Sequence, residues 1–279
     1  MSEVNIIRTA REMQERSTSL IKTGRNIVFV PTMGFLHEGH LSLVREGKKH
    51  GDHIVMSIFV NPAQFGPNED FDSYPRNFER DLKLAQSQGV DDIFAPEKDA
   101  LYEENFQTYI NLEKLPKRLC GISRPIFFQG VATVVAKLFN IVKPQAAVFG
   151  EKDYQQLQII RRMVTDLNFD VKIIGGATVR EPDGLAMSSR NAYLKPEQRE
   201  SALSLSRSMK KAQSLVDDGT CEASTIIKEA SDLIQSFPET AIDYISIVDP
   251  DTLEDMETID RPARMILAVK VGQTRLIDN

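Results

Sequence analysis

One short apolar run, and what interrupts it, constrains this chain more than any other stretch. Ile27-Val28-Phe29-Val30 has no polar residue, the pattern of a strand buried on both faces of a sheet. Pro31 lacks a backbone donor and ends that strand. Thr32-Met33-Gly34-Phe35-Leu36-His37-Glu38-Gly39-His40 follows as a loop whose two glycines permit a tight turn. From about Gly39 the apolar positions Leu41 and Val44 carry a helix to about Lys49. A second apolar run, Ile54 to Val60, reads as the next strand. Strand, helix and strand at this spacing form a right-handed βαβ unit of a parallel sheet, so the chain is committed to an α/β architecture.

The loop delivers two imidazoles, three residues apart, to the N-terminus of a helix. Free N–H groups and a partial positive charge at such an end favour an anion, phosphate foremost. Histidine is tolerated at many strand–helix joints, but this chain has four in all and two of them sit here. A zinc reading would need a third ligand and usually a pair four apart around a Glu; the spacing of three favours phosphate.

The same alternation continues along the chain. Residues 6–22 have helical spacing, stopped by Gly24. After Val60 comes a polar, turn-rich segment, residues 61–68. Ligands of open parallel sheets bind beyond the carboxyl ends of strands, so Asn61 and Gln64 are expected to face the same crevice as His37 and His40. A helix from about Asn77 to Gln88 carries Asp81, a candidate metal contact. A strand spans Val90 to Ala95, with Asp91-Asp92 reading as surface, and Thr108 to Leu112 reads as an added strand. Residues 130–142 are apolar on nearly every side, a buried helix suited to a subunit contact.

Ala146 to Leu157 repeats the motif of apolar strand, Gly150, and helix start. Lys152 at that turn can act as a mobile charge for a phosphate, and Asp153 can accept from ribose hydroxyls. Lys152 and Gln156, four apart, share a helix face. After a strand at Val171 to Ile174, Met187-Ser188-Ser189-Arg190 offers two hydroxyls and a planar guanidinium, a compact anion clamp. Beyond Asn191 the pattern changes to two helices, Pro196 to about Val216 and Ala223 to Phe237. Strands follow at 241–248, 265–271 and 274–277. We expect a Rossmann-like parallel-sheet domain over 1–187 and a smaller α+β lid over 188–279 without chemistry of its own.

A net charge of −6 argues against nucleic acid as a partner, and no run approaches the roughly 18 apolar residues of a membrane span. Two cysteines make no disulfide framework or metal set, and Met1 to Arg16 lacks a signal-like apolar core, so the expected location is the cytoplasm. No Gly-x-Gly-x-x-Gly or Walker loop is present. What remains is a set of phosphate donors with neutral amides at 61, 64 and 156. Such a set can hold a triphosphate for in-line attack by a small polar acid without a covalent enzyme intermediate. A transferase loading a phosphorylated acceptor, and a nucleotide-sensing module, are the alternatives.

Pro31–Val44, Phe59–Phe65, Gly130–Pro144, Phe149–Leu157 and Asp183–Leu194, in that order, resemble the pantoate–β-alanine ligase (pantothenate synthetase) family of the nucleotidylyltransferase superfamily. Phe-Val-Asn-Pro-x-Gln-Phe and Gly-Glu-Lys-Asp-x-Gln-Gln are specific to it, and the ending Arg275-Leu276-Ile277-Asp278-Asn279 is similar. The resemblance implies that pantoate attacks the α-phosphate of Mg-ATP and that β-alanine then displaces AMP from pantoyl adenylate. It places ATP on Met33, Gly34, Phe35, Leu36, His37, Glu38, Gly39 and His40, on Gly150, Glu151, Lys152 and Asp153, and on Val179, Met187, Ser188, Ser189 and Arg190. It implies His40 as proton donor, where an imidazolium would also stabilise transition-state charge, His37 as a phosphate contact, and Lys152 bridging phosphate and pantoate. Pantoate falls to Gln64 and Gln156, with Asn61 beside them, and β-alanine to Gln64. The family is a cytoplasmic homodimer. One departure stands out: Arg124-Pro125-Ile126-Phe127-Phe128 replaces the Arg-Pro-Gly-His-Phe of many members.

Overall fold

The computed structural model describes residues 4–67 and 69–279; Met1–Glu3, at the head of the polar N-terminal segment, and Asn68, in the turn-rich segment 61–68, lie outside the described residues. Six strands form a parallel sheet: β1 (Asn5–Ile7), β2 (Ile27–Thr32), β3 (His53–Ile58), β4 (Asp92–Phe94), β5 (Ala146–Gly150) and β6 (Lys172–Gly176). Their order across the sheet is β1-β4-β3-β2-β5-β6. The helices between them are α1 (Ala10–Lys22), α2 (Glu38–Gly47), α3 (Phe78–Ser87), the short α4 (Lys98–Leu101) and α5 (Cys120–Ser123), α6 (Phe127–Val142) and α7 (Tyr154–Asp166).

Side-chain alternation along β2 feeds two cores. Ile27 and Phe29 pack with α1, α6 and α7, whereas Val28 and Val30 pack with α2 and α3. The apolar girth of α6 is consumed inside the chain: it packs against α1, α7 and the turn after β3. Helices α8 (Arg199–Asp217) and α9 (Ala223–Gln235) then cover an antiparallel sheet of β7 (Thr240–Val248), β8 (Arg264–Val271) and β9 (Thr274–Asp278). The expected boundary at 187/188 falls between β6 and α8.

Three expectations change. Residues 5–7 are a strand, not the start of a helix: Ile6 and Ile7 fit either periodicity, and parallel pairing with β4 decides, after which Thr9 caps α1 by accepting from the Glu12 amide at 3.2 Å. Residues 108–112 pair with no described strand; the Ile110 amide donates instead to Thr133 Oγ1 at 3.0 Å. Asp92 is fully buried rather than at the surface, because His53, Arg16 and Asn5 all converge on its carboxylate.

The sheet positions the site. The strand order reverses between β2 and β5, and these two pair only through Val28–Ala146 and Phe29–Ala147. Beyond that point they diverge, and a crevice opens between their carboxyl ends, where open α/β sheets bind ligands.

Candidate active site

The loop after β2 carries the histidines and is tied down at every step. Thr32 Oγ1 donates to the Ser57 carbonyl and accepts from the Gly34 amide. Gly34 has φ 84° and Phe35 φ 50°, two left-handed residues in succession, of which only the first is a glycine. The Phe35 and Leu36 amides both donate to Asp81 at 2.7 Å, and Ser189 Oγ donates to the Phe35 carbonyl at 3.3 Å.

His37 then caps α2. Its Nδ1 accepts from the Gly39 amide at 3.2 Å, while His40 Nδ1 accepts from the His37 amide at 3.3 Å, a reciprocal capping box made of two imidazoles. The rings lie 4.1 Å apart. With each Nδ1 accepting, each ring proton belongs on Nε2, which is left to donate. Burial, and then the charge of Lys152, lower the His37 pKa to about 4. Burial, His37 and Lys152 hold His40 well below its ordinary value. Both rings are therefore neutral donors near pH 7, and an imidazolium at His40 is disfavoured in the unliganded site.

After β3, Asn61 caps the turn Pro62–Gln64. Its Nδ2 donates to Gln64 Oε1 and to the Gly130 carbonyl, each at 3.1 Å, and its Oδ1 accepts from the Ala63 amide. Both amide protons of Asn61 are thus engaged. This residue, expected beside pantoate, lines the cavity and orients Gln64, whose Nε2 lies 3.1 Å from Met33 Sδ. Gly130 makes this possible: a Cβ there would fall 2.2 Å from the Ala63 carbonyl oxygen.

After β5, a 3₁₀ turn, Glu151–Asp153, leads into α7. The Asn279 side-chain amide donates to the carbonyls of Glu151 and Lys152 at 2.9 and 2.8 Å. Arg264 donates to Asn279 and stacks over Tyr154, so the second domain clamps the turn that bears Lys152. The Lys152 ammonium pairs with no carboxylate among the described residues. Gln156 is half-buried at the cavity wall, and Asp153 is exposed.

The expected anion clamp is arranged differently. Ser188 Oγ accepts from the Arg190 amide, Ser189 reaches back to Phe35, and the Arg190 guanidinium is paired fork-to-fork with Asp70 at 2.9 and 3.0 Å. Arg124 pairs likewise with Glu69 and lies 3.7 Å over the Phe127 ring, so the phenyl group at the departing motif acts as a stacking partner.

These segments enclose a cavity of about 260 Å³. It gathers Met33, His37, Gly39 and His40 with Asn61, Gln64, Gly150, Lys152, Asp153 and Gln156, and also Val179 and Met187 to Arg190. Gly34, Phe35, Leu36, Glu38, Glu151 and Asp81 do not reach it: Leu36 is buried beneath the loop, Glu38 pairs with Arg45, and Glu151 faces Arg264. Asp81, the candidate metal contact, holds a backbone amide on each of its oxygens. Among the described residues no three His, Cys, Asp or Glu side chains converge on a metal position.

Sequence reasoning missed the contribution of the C-terminal domain. Tyr244, Arg275 and Ile277 line the cavity, and Arg275 is held by Asp243 at 2.7 Å. The signal was present in β9, where Thr274, Leu276 and Asp278 are buried and the alternate residues Arg275 and Ile277 face the other way. Gln155 was also missed; its amide staples the loop below the cavity through Leu115, Arg118 and Cys120.

Comparison with known proteins agrees with this arrangement. The family model described as pantoate-beta-alanine ligase matches residues 5–279. A pantothenate synthetase from Desulfatibacillum aliphaticivorans is 58% identical over 276 residues, covering 99% of this chain and 98% of the relative. The one from Thermotoga petrophila is 54% identical, covering 99% of each. The crystal structure of pantothenate synthetase from Thermus thermophilus superposes with TM-score 0.94 at 44% identity, covering 99% of this chain and 98% of that one. That of the Francisella tularensis pantoate-beta-alanine ligase, described as complexed with beta-gamma ATP and beta-alanine, gives 0.82 at 34%, covering 99% and 96%. With a family model matching nearly the whole chain and relatives more than half identical over 99% of it, this chain belongs to the pantoate–β-alanine ligase family.

Proposed function

We infer that the chain condenses pantoate with β-alanine, using ATP and releasing AMP and pyrophosphate. The observation that carries this reading is the convergence, across one crevice, of an uncommitted ammonium at Lys152, two neutral Nε2–H donors, and the amides of Gln64 and Gln156. The cationic and N–H side suits a triphosphate, and the amide side suits the hydroxyls and carboxylate of a small acid. A pantoate carboxylate oxygen attacks the α-phosphorus and pyrophosphate leaves. The β-alanine amine then attacks the acyl carbon of pantoyl adenylate, and AMP departs with the shared oxygen. The enzyme's part is positioning and charge stabilisation, since among the described residues no serine or cysteine of the cavity hydrogen-bonds to either histidine.

Magnesium enters as Mg-ATP, the substrate complex. The same reading makes the protein a cytoplasmic homodimer, with residues 1–187 binding nucleotide and pantoate and 188–279 closing over them. A transferase acting on a phosphorylated acceptor would need a second basic pocket, whereas Arg124, Arg190 and Arg275 already carry carboxylates. Exchange of labelled pyrophosphate into ATP, with β-alanine omitted, tests the assignment. We expect exchange only when pantoate is present; ATP binding without pantoate-dependent exchange would overturn the adenylate route.

A further inference from the structure

We propose that Asp81 is a positioning residue for the adenylation step: its buried carboxylate sets the backbone of Gly34 to Leu36 and thereby aims the His37 and His40 donors. The inference rests on the ligase reading above and adds a residue to it that touches no substrate.

Asp81 lies on α3, is 1% exposed, and is absent from the cavity wall. Its two oxygens are divided between two consecutive amides, Phe35 N on Oδ2 and Leu36 N on Oδ1, each at 2.7 Å. Those distances are at the short end for N–H···O, as expected of charge-assisted bonds. Arg80 stands 3.6 Å from Oδ1 on the solvent side, and its guanidinium lies 5.2 Å from the centre of the Phe35 ring. The geometry bears on a residue that resists it: Phe35 has φ 50°, a conformation that costs a non-glycine residue free energy and persists only where its surroundings impose it.

Two tethers supply the imposition, Asp81 on the amide side of Phe35 and Ser189 on its carbonyl. His37 is two residues further on, and its amide is the donor that fixes the His40 tautomer. Without the carboxylate, Phe35 relaxes toward negative φ, the His37 amide turns, and both Nε2–H vectors lose their common aim. Gly34 fits the same scheme. A Cβ at this position would meet Asp81 Oδ2 at 3.0 Å, and its φ of 84° is one that side-chain-bearing residues rarely adopt.

Asp81→Asn is nearly isosteric and sets an amide NH₂ against a backbone N–H. Gly34→Ala disturbs the same contact while leaving the carboxylate in the chain. For both variants we expect kcat/KM for ATP to fall on the order of 10²-fold, as misplacement of reacting groups by about 1 Å does. The Mg²⁺ concentration for half-maximal activity should stay at the wild-type value. Imidazole ¹⁵N spectra of the unliganded variants should show His37 and His40 shifting from a single Nε2–H form to a mixture of tautomers. A half-saturation for Mg²⁺ that rises in step with the lost activity, and is recovered by excess Mg²⁺, would mark Asp81 as a metal ligand and overturn the proposal. Wild-type kinetics with unchanged spectra in both variants would overturn it equally. Should the wild-type protein fail to make pantothenate, the ligase reading falls, and the spectra still report on Asp81 because they need no turnover.

Discussion

Burial and the charge of Lys152 oppose protonation of both His37 and His40, and at His37 they outweigh the opposite pull of Asp153 and Glu181. A histidine whose folded pKa is lowered binds fewer protons than its unfolded counterpart. Stability is therefore fully present above the unfolded value of 6.5 and declines as the pH falls toward about 4. His37→Asn keeps a good capping side chain but removes the titration. We expect its melting temperature to vary less than that of the wild type between pH 6.5 and about 4, by calorimetry at matched ionic strength. At this scale the sequence was informative where chemistry sits at a strand–helix joint, as with the histidine pair and Lys152. It was silent on engagement. That Arg190 arrives paired, and that Asp81 faces amides, depends on residues 120 and 45 positions away.

Among the elements, α6 shows how a helix can be legible as buried while its purpose is not. Its all-round apolar surface was plain, and a subunit contact was one use for it; the chain folds α1 and α7 onto it instead. What no periodicity reveals is its close approach to the turn Pro62–Gln64, where Gly130 leaves room for the Ala63 carbonyl. Gly130→Ala should push these two backbones apart, and neither can yield as a flexible side chain would. We expect a loss of roughly 3 kcal/mol, the upper end for overpacking, with the KM for pantoate raised because Asn61 no longer ties Gln64 to the helix. Urea denaturation and steady-state kinetics check the two halves separately. The first strand was the least legible element. Residues 5–7 are a strand because they pair with β4, whose own apolar run was legible as a strand; that pairing is a non-local fact.

The molecule as a whole is joined at its active site. The small antiparallel sheet was legible as a separate α+β unit, but its part in the cavity was not, since Arg275 and Asn279 act only after folding brings residues more than a hundred positions apart together. Asn279→Ala removes two hydrogen bonds to the Lys152 turn, each worth about 1 kcal/mol. We expect kcat/KM for ATP to fall about tenfold, with the melting temperature reduced by only a few degrees.

The arginines that line the cavity each come with a carboxylate already attached: Arg124 with Glu69, Arg190 with Asp70, Arg275 with Asp243. A tethered carboxylate competes at a local concentration on the order of millimolar or above. An ion that grips one guanidinium, such as free phosphate, must outcompete it alone. A ligand presenting several charged groups at fixed spacing can displace more than one carboxylate in a single binding event. At these three guanidiniums, the pairing therefore favours a ligand that brings several charges over one that brings a single charge.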